Sequence, residues 1–306
     1  MTTARTLLPN AGRVLVMGIV NRTPDSFSDG GAHLDEEAAR AQVERLVREG
    51  ADIIDVGAES TRPGAKLIDA ATQLARLGEL IPFVVRAGVV ASVDTTLAEV
   101  AEHALRQGAA VVNSVSLAPA AELGGLAARF GASLVLTHCR GAMTDMRAFS
   151  EYDARAYGDV VREVADEWTV AAQRAMAAGL PRESLWFDPG LGFAKNAEQS
   201  LELCVRLGEL KALVRHPVLV GPSRKSYLAS AVAREARSPN PPPNERLGGT
   251  IAAVLDAAAQ GADAVRVHDV QPVAQALSYR RAMLSPRALM SKAVATEPRA
   301  GGGADA

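Results

Sequence analysis

The chain has 306 residues, 48% of them hydrophobic, and a formal net charge of −2 at pH 7. This composition fits a folded protein with a full core and excludes a disordered or fibrous chain. The near balance of charge, and the lack of any run of about 18 apolar residues, argue against a nucleic-acid or membrane partner. Two distant cysteines, Cys139 and Cys204, match no metal or disulfide spacing, so we expect free thiols and a cytoplasmic location.

The first predicted element is an apolar strand that ends in a long polar loop. Residues 14–20 carry no charge and are long enough for a buried strand of a parallel sheet, but too short for a core helix. The loop from Asn21 to Gly31 brings an amide, an arginine and two carboxylates. Loops at the carboxyl ends of strands build the sites of α/β proteins, although this loop alone is better explained as a solvated turn.

The same order of strand, polar tip and helix then recurs along the chain. The predicted strands are residues 14–20, 52–57, 89–93, 110–112, 133–136, 185–187, 218–220 and 264–267, and the predicted helices are residues 34–49, 69–87, 97–107, 120–130, 154–178, 198–214, 246–260 and 271–283. Eight such units predict a single-domain (β/α)8 TIM barrel. A doubly wound open sheet is the alternative, because periodicity predicts parallel strands but not closure. We assign residues 1–12 to an N-terminal extension, 13–284 to the barrel and 285–306 to a disordered tail.

Closure of the barrel would gather polar side chains from the strand tips at one face. They are Asn21, Thr61, Arg62, Asp94, Asn113, His138, Asp188, Lys225, Arg266 and His268. Each alone is explained by a helix cap, a turn or a histidine bonded to a carbonyl, but together they favour a binding site.

The chemistry of these tips falls into two groups. The carboxylates, amide and ammonium of Asp94, Asn113, Asp188 and Lys225 suit a flat, nitrogen-rich heterocycle with a guanidine-like edge. The remaining donors, together with a helix start at Ser223 and Arg224, suit an oligophosphate. A ring at one side and phosphate at the other predict a substrate that carries its own leaving group.

Six segments carry a resemblance to a known family. They are NRTPDSFSDGG (21–31), GAESTRPGA (57–65), SVDTT (92–96), DPGLGFAK (188–195), GPSRK (221–225) and RVHDV (266–270). In this order they resemble the dihydropteroate synthases, pterin-binding enzymes of folate synthesis, over about residues 14–279. The resemblance implies a barrel that joins p-aminobenzoate to 6-hydroxymethyl-7,8-dihydropterin diphosphate and releases pyrophosphate and 7,8-dihydropteroate.

The resemblance also implies a role for each tip. The pterin would be bound by Asp94, Asn113, Asp188 and Lys225, the diphosphate by Asn21, Thr61, Arg62, Arg266 and His268, and p-aminobenzoate by Phe27, Pro63, Phe193 and Ser226. The catalytic residues would be Asp94, Asp188, Lys225 and Arg62, and Asn21 would ligate Mg²⁺. Because cationic groups would face the departing pyrophosphate while carboxylates face the ring, we expect an SN1-like substitution. The family further implies a homodimer.

Three departures from the family pattern leave a non-catalytic function open. Ser114 stands where the family usually has aspartate, residues 117–119 lack a glycine that is common there, and Ala58 stands where glycine is usual. The alternatives are a non-catalytic pterin-binding paralogue, a methyltetrahydrofolate-dependent methyltransferase, which needs no diphosphate site, and a purely structural barrel.

Overall fold

The computed structural model describes Leu7, Pro9 and residues 12–22, 32–59, 68–141, 153–236 and 240–284. The strands are β1 (Leu15–Asn21), β2 (Ile53–Gly57), β3 (Val90–Asp94), β4 (Val111–Ser114), β5 (Ser133–Thr137), β6 (Leu185–Asp188), β7 (Leu219–Val220) and β8 (Ala264–Val267). The helices are α1 (Ala32–Arg48), α2 (Ala70–Leu77), α3 (Leu80–Arg86), α4 (Ala98–Arg106), α5 (Ala120–Phe130), α6 (Val160–Ala177), α7 (Ala197–Val205), α8 (Leu207–Val214), α9 (Ser226–Ala236), α10 (Leu247–Ala259) and α11 (Val270–Leu284).

The strands form one parallel sheet whose two ends meet. The spatial order is β6, β5, β4, β3, β2, β1, β8, β7. Phe187 of β6 bridges Val218, directly before β7, in parallel, and its N–H donates to the carbonyl of Pro217 at 2.8 Å. The predicted barrel is therefore confirmed and the open sheet is wrong.

Side chains alternate across the barrel wall, as strand geometry requires. In β1, Val16 and Val20 join the layer between sheet and helices, whereas Leu15 and Met17 join an apolar cluster that fills the barrel. This inner cluster also contains Leu7, Ile53, Val111, Val135, Trp186, Leu219 and Ala264. Large side chains thus fill the amino-terminal half of the barrel, and the polar strand tips lie at its carboxyl-terminal mouth.

Leu7 comes from the segment that we assigned to an N-terminal extension. Its side chain is buried, its N–H donates to Ser133 Oγ at 3.1 Å, and its carbonyl accepts a hydrogen bond from Trp186 Nε1 at 3.2 Å. This residue therefore belongs to the core that fills the barrel.

Two predicted helices are each divided in the structure. The helix predicted over 69–87 is broken at Gly78, whose φ of 49° is left-handed, and α3 starts two residues later so that Pro82 lies in its first turn. Proline is tolerated there because the first-turn N–H groups have no helical partner. The helix predicted over 198–214 is broken at Arg206, whose guanidinium pairs with Asp159, Glu202 and Glu209.

Three further predictions concern the cysteines, the membrane and the tail. Cys139 and Cys204 are free thiols. Among the helices that the structure describes, none combines the length and apolar character needed to cross a bilayer. The tail predicted for residues 285–306 lies outside the described residues.

Candidate active site

The mouth of the barrel brings most of the predicted site residues together. Asn21, Asp94, Asn113 and Asp188 lie at the carboxyl ends of β1, β3, β4 and β6. Lys225 and Ser226 stand at the start of α9, Arg266 lies in β8, and His268 follows it. The predictions for Thr61, Arg62, Phe27 and Pro63 lie outside the described residues.

Asp55, which the sequence analysis did not identify, accepts hydrogen bonds from three side chains at the mouth of the barrel. Its side chain is fully buried and accepts hydrogen bonds from Ser92 Oγ at 2.6 Å, Asn113 Nδ2 at 3.0 Å and Arg266 Nε at 2.7 Å. The signal was a carboxylate in the middle of the apolar strand DIIDVG, since a buried aspartate requires partners. Asp55 thereby fixes the orientation of two predicted ligand-binding residues.

Arg266 joins Asp55 to Asp94. Its Nη2 donates to Asp94 Oδ2 at 2.7 Å, and its side chain is 18% exposed. Burial opposes the charge of Arg266, but the two carboxylates outweigh burial and raise its pKa. Burial raises the pKa of Asp94 to about 7, opposed by Arg266 and reinforced by the negative charge of Asp55. The mouth therefore contains a carboxyl group that changes charge near neutral pH.

Asn113 presents an acceptor that lacks a protein partner. Because Asp55 can only accept, the nitrogen of the Asn113 amide must face it, and the oxygen then points elsewhere. That oxygen, Oδ1, is buried and has no hydrogen-bond partner among the described residues. A buried, unpaired acceptor is costly, and a ligand N–H would satisfy it.

Asp188 and Lys225 are two further charged groups of the mouth, and the charge of each influences the pKa of the other. Asp188 Oδ1 accepts a hydrogen bond from the N–H of Gly190 at 2.7 Å, and burial raises the pKa of this carboxyl despite that bond. Burial lowers the pKa of Lys225 to about 8, opposed by the charges of Asp188 and Asp94. Lys225 Nζ lies 3.9 Å from the ring centroid of Phe193, which makes the aromatic face part of the same site.

Gly57 of β2 lies between Asn21 of β1 and Asp94 of β3, and because it has no side chain, the side chains of Asn21 and Asp94 can approach each other. A Cβ at Gly57 would lie 3.2 Å from Asn21 Oδ1 and 3.5 Å from Asp94 Cβ. Asn21 Oδ1 is an oxygen of the kind that Mg²⁺ prefers. Within the described ranges no group of three or more His, Cys, Asp or Glu side chains is arranged to hold a metal ion. Asn21 offers one protein oxygen, so an ion there would need the phosphates of a ligand for its other ligands.

The segment after β7 is fastened to the tip of β8. Ser223 Oγ lies 3.0 Å from His268 Nδ1, and Arg224 makes a bidentate ion pair with Asp269 at 2.6 and 3.0 Å. The Arg224 backbone has a φ of 59°. The helix start predicted at Ser223 and Arg224 is therefore wrong by two to three residues, since α9 begins at Ser226, and the guanidinium of Arg224 is paired with Asp269.

His138 is the one described tip residue that is bonded to the helical layer. Its ring is completely buried, and its Nε2 lies 3.1 Å from Glu167 Oε2 of α6. Burial lowers the pKa of His138 to about 4. The ordinary explanation, a histidine satisfied by internal partners, holds for this residue.

Ser114 does not disturb the fourth strand tip. Its hydroxyl donates to the carbonyl of Ser116 at 2.9 Å and accepts from the N–H of the same residue at 3.3 Å. These bonds stabilise the local turn, as hydroxyl side chains commonly do. Asn113, next to it, remains bonded to Asp55.

Comparison with known proteins assigns this arrangement to a family. The family described as "Pterin binding enzyme" matches residues 17–268. A relative from Synechocystis named dihydropteroate synthase is 41% identical over 273 residues, which are 89% of this chain and 90% of that protein.

Solved structures show the same similarity in three dimensions. The dihydropteroate synthase of Xanthomonas albilineans with 4-aminobenzoic acid superposes with a TM-score of 0.79 at 36% identity and covers 90% of this chain and 94% of its own. The complex of the Xanthomonas albilineans enzyme with 7,8-dihydropteroate gives a TM-score of 0.75 at 35% identity, covering 90% and 95%.

Proposed function

This chain belongs to the pterin binding enzyme family, its relatives are dihydropteroate synthases of folate synthesis, and we propose that it joins p-aminobenzoate to 6-hydroxymethyl-7,8-dihydropterin diphosphate. The reaction is a transfer that releases pyrophosphate and forms 7,8-dihydropteroate. The non-catalytic paralogue and the methyltransferase are the competing functions, and both are distinguished by the experiment below.

The observation that carries the proposal is the unpaired oxygen of Asn113 beside Asp94. A pterin ring offers adjacent N–H donors and a carbonyl acceptor along one edge. In our proposal Asn113 Oδ1 accepts from the ring, the carboxyl groups of Asp94 and Asp188 bind its remaining N–H groups, and Lys225 donates to its carbonyl. The arrangement of Asp55, Ser92 and Arg266 supports this proposal because it holds the binding groups in place before the ligand arrives.

The diphosphate would lie next to the pterin, where β1 and β8 end. In our proposal Asn21, Arg266 and His268 bind it, with Thr61 and Arg62, and Asn21 would also hold Mg²⁺. Bound Mg²⁺ would neutralise part of the charge on the departing pyrophosphate. The N–H groups at the start of α9 supply a positive dipole for an anionic group next to Ser226, which suits the carboxylate of p-aminobenzoate.

The charge pattern favours departure of pyrophosphate before the weak aniline nucleophile bonds. Ionised Asp94 and Asp188 would stabilise a ring that becomes cationic as the C–O bond breaks. Arg62, Arg266 and His268 would stabilise the leaving group. The electron pair of the broken bond leaves with pyrophosphate, and the aniline then forms the new C–N bond and loses a proton.

The test is release of pyrophosphate by purified protein supplied with the pterin diphosphate and Mg²⁺, with and without p-aminobenzoate. Release that depends on p-aminobenzoate, together with 7,8-dihydropteroate in the product, supports the synthase. Tight pterin binding without product favours the non-catalytic paralogue. Methyl transfer from methyltetrahydrofolate to a corrinoid, without pyrophosphate chemistry, favours the methyltransferase.

We also propose that the protein is a homodimer. Val205 of α7 is 67% exposed and Leu213 of α8 is 46% exposed, so these outer helices present apolar side chains that a second copy could cover. Sedimentation equilibrium gives the mass directly, and a monomer at micromolar concentration contradicts the proposal.

A further inference from the structure

The loop that follows β6 has an unusual backbone. Within residues 190–194, Gly190, Gly192 and Ala194 all have left-handed φ angles, of 67°, 77° and 50°. Alanine rarely adopts this conformation, so its presence indicates that surrounding contacts hold the loop in shape. The loop ends at Lys195, whose side chain is completely buried.

The amino group of Lys195 binds the loop from inside. Its Nζ lies 3.2 Å from the carbonyl oxygen of Gly190, 3.0 Å from that of Phe193 and 3.2 Å from that of His138. Its fourth neighbour is His138 Nδ1 at 2.9 Å. Carbonyl oxygens only accept hydrogen bonds, so three of the four neighbours require N–H groups from the lysine.

Glu167 determines which ring nitrogen of His138 carries the proton. Its hydrogen bond with His138 lowers the pKa of Glu167 to about 2, so the group is a carboxylate that needs an N–H at His138 Nε2. Burial lowers the pKa of His138 to about 4 and that of Lys195 to about 7. The imidazole is therefore neutral and its Nδ1 is an acceptor, so the ammonium form of Lys195, which predominates below about pH 7, shares its three N–H groups among four acceptors.

The loop held by Lys195 carries two groups of the candidate site. The N–H of Gly190 donates to Asp188 Oδ1 at 2.7 Å, and the ring of Phe193 lies 3.9 Å from Lys225 Nζ. A change in the position of the Gly190 and Phe193 carbonyls therefore moves the groups that orient Asp188 and Lys225.

We propose that Lys195 is a positioning residue, whose buried ammonium holds the loop after β6 so that Asp188 and Phe193 are set for the pterin and p-aminobenzoate. The proposal rests on the proposed function, because it assigns the loop to that same site. Lys195 acts through the backbone of the loop, and Glu167 and His138 act through Lys195.

The test compares two ligands that the proposed function assigns to different residues of the mouth. Lys195→Met keeps the length of the side chain but removes the ammonium. By calorimetry we expect 6-hydroxymethylpterin to bind at least about tenfold more weakly, since hydrogen bonds from a charged donor are lost. Inorganic pyrophosphate with Mg²⁺ should bind as it does to the unsubstituted protein. A loss of fold alone would lower the active fraction for both ligands.

Lys211→Met is the matched control. Lys211 pairs with Asp263 at 2.7 Å, next to the amino-terminal end of β8. The substitution therefore also removes a hydrogen-bonded ammonium, but at the end of the barrel opposite the mouth. We expect no change in the affinity for either ligand.

If Lys195→Met does not fold, a milder variant tests whether Lys195 positions the loop. Glu167→Gln alters the partner that fixes the His138 proton, and its side chain is 38% exposed, so the fold should tolerate it. We expect a smaller loss of pterin affinity in the same direction. Unchanged pterin affinity in every folded variant overturns the proposal for Lys195, whereas absence of pterin binding to the unsubstituted protein overturns the proposed function instead.

Discussion

The hydroxyl of Ser223 lies 3.0 Å from Nδ1 of His268 and also accepts the backbone N–H of His268 at 3.2 Å. Burial, together with the nearby Arg224 and Arg266, lowers the pKa of His268 to about 3, so its ring is neutral. The Ser223 hydroxyl has one proton to donate, and we predict that Nδ1 of His268 accepts it. The remaining ring proton then lies on Nε2, where it can be donated to a phosphate oxygen.

Ser223→Ala should therefore release the ring of His268 from one tautomer. We expect affinity for pyrophosphate with Mg²⁺ to fall about two- to tenfold, the range for one lost neutral hydrogen bond. Nitrogen-15 NMR of histidine-labelled protein should show a single Nε2–H form of His268 before the substitution and a tautomer mixture after it. The chain has five histidines, so a His268→Gln spectrum identifies the signal.

Ser278→Ala, on the exposed face of α11, serves as the control and should leave both the spectrum and the affinity unchanged. An unchanged His268 signal in Ser223→Ala would show that other contacts fix the ring.

Asp55→Asn should destabilise the fold and shift the titration of its neighbour. Removing a fully buried carboxylate leaves Arg266 with less compensation, and losing one partner of a buried ion pair typically costs about 3–5 kcal/mol. Because the charge of Asp55 raises the pKa of Asp94, the substitution should also lower that pKa. Urea unfolding measures the first effect, and carbon-13 NMR of the carboxyl groups measures the second.

Asp52→Asn is the control at the other end of the same strand region. Asp52 pairs with Arg13 at 2.6 Å, but its side chain is 20% exposed and that of Arg13 is 38% exposed. We expect a loss of about 1 kcal/mol or less, as for ion pairs near the surface, and no change at Asp94. Equal losses in the two variants would contradict the central place given to Asp55.

Asp94→Asn should reduce turnover by about a hundredfold or more, which is the usual effect of removing a charge that stabilises a transition state.

The free energy of unfolding of Asp94→Asn should differ from that of the unsubstituted protein by an amount that depends on pH. The pKa of Asp94 is raised from 3.8 to about 7, so the folded state binds more protons than the unfolded state between these values. The contribution of this group is therefore fully present below about pH 4 and is lost as pH rises to about 7.

The measurement is the free energy of unfolding in urea between pH 4 and pH 8, with the value for Asp94→Asn subtracted from the value for the unsubstituted protein. Titratable groups remote from Asp94 are common to both proteins and cancel, whereas Lys225, whose pKa is raised by the charge of Asp94, does not. A difference that grows as pH rises would require a lowered pKa for Asp94 and would contradict the burial argument.

The sequence predicted the barrel because the strand, tip and helix order is repeated, and each tip residue was found by its polarity at the end of an apolar run. Which tips face the mouth depends on neighbours distant in sequence. His138 looks like Asn113 in the sequence, yet it meets Glu167 of α6 and Lys195, whereas Asn113 meets Asp55.

Two residues that organise the site, Asp55 and Lys195, were missed for opposite reasons. Asp55 lies within a strand, where a search of strand ends does not look, and Lys195 lies inside a recognised motif but two residues beyond the last group with evident chemistry. The break at Gly78 was predictable from Pro82, because a proline is disfavoured within the interior of a long helix.

Gly190 and Gly131 offer a direct measure of how tightly the loop after β6 is packed. Their φ angles are nearly equal, 67° and 63°, so alanine meets the same backbone strain at both positions. At Gly131 a Cβ would meet no described atom within 4 Å apart from its chain neighbours, whereas at Gly190 it would overlap the carbonyl oxygen of His138. Gly131→Ala should cost about 1–2 kcal/mol in urea unfolding, the cost of the left-handed conformation. Gly190→Ala should cost more than about 4 kcal/mol, because the His138 carbonyl belongs to the backbone and cannot move aside without displacing Lys195. Similar losses at the two positions would show that the loop after β6 can shift, and would contradict the conclusion that Lys195 holds its shape.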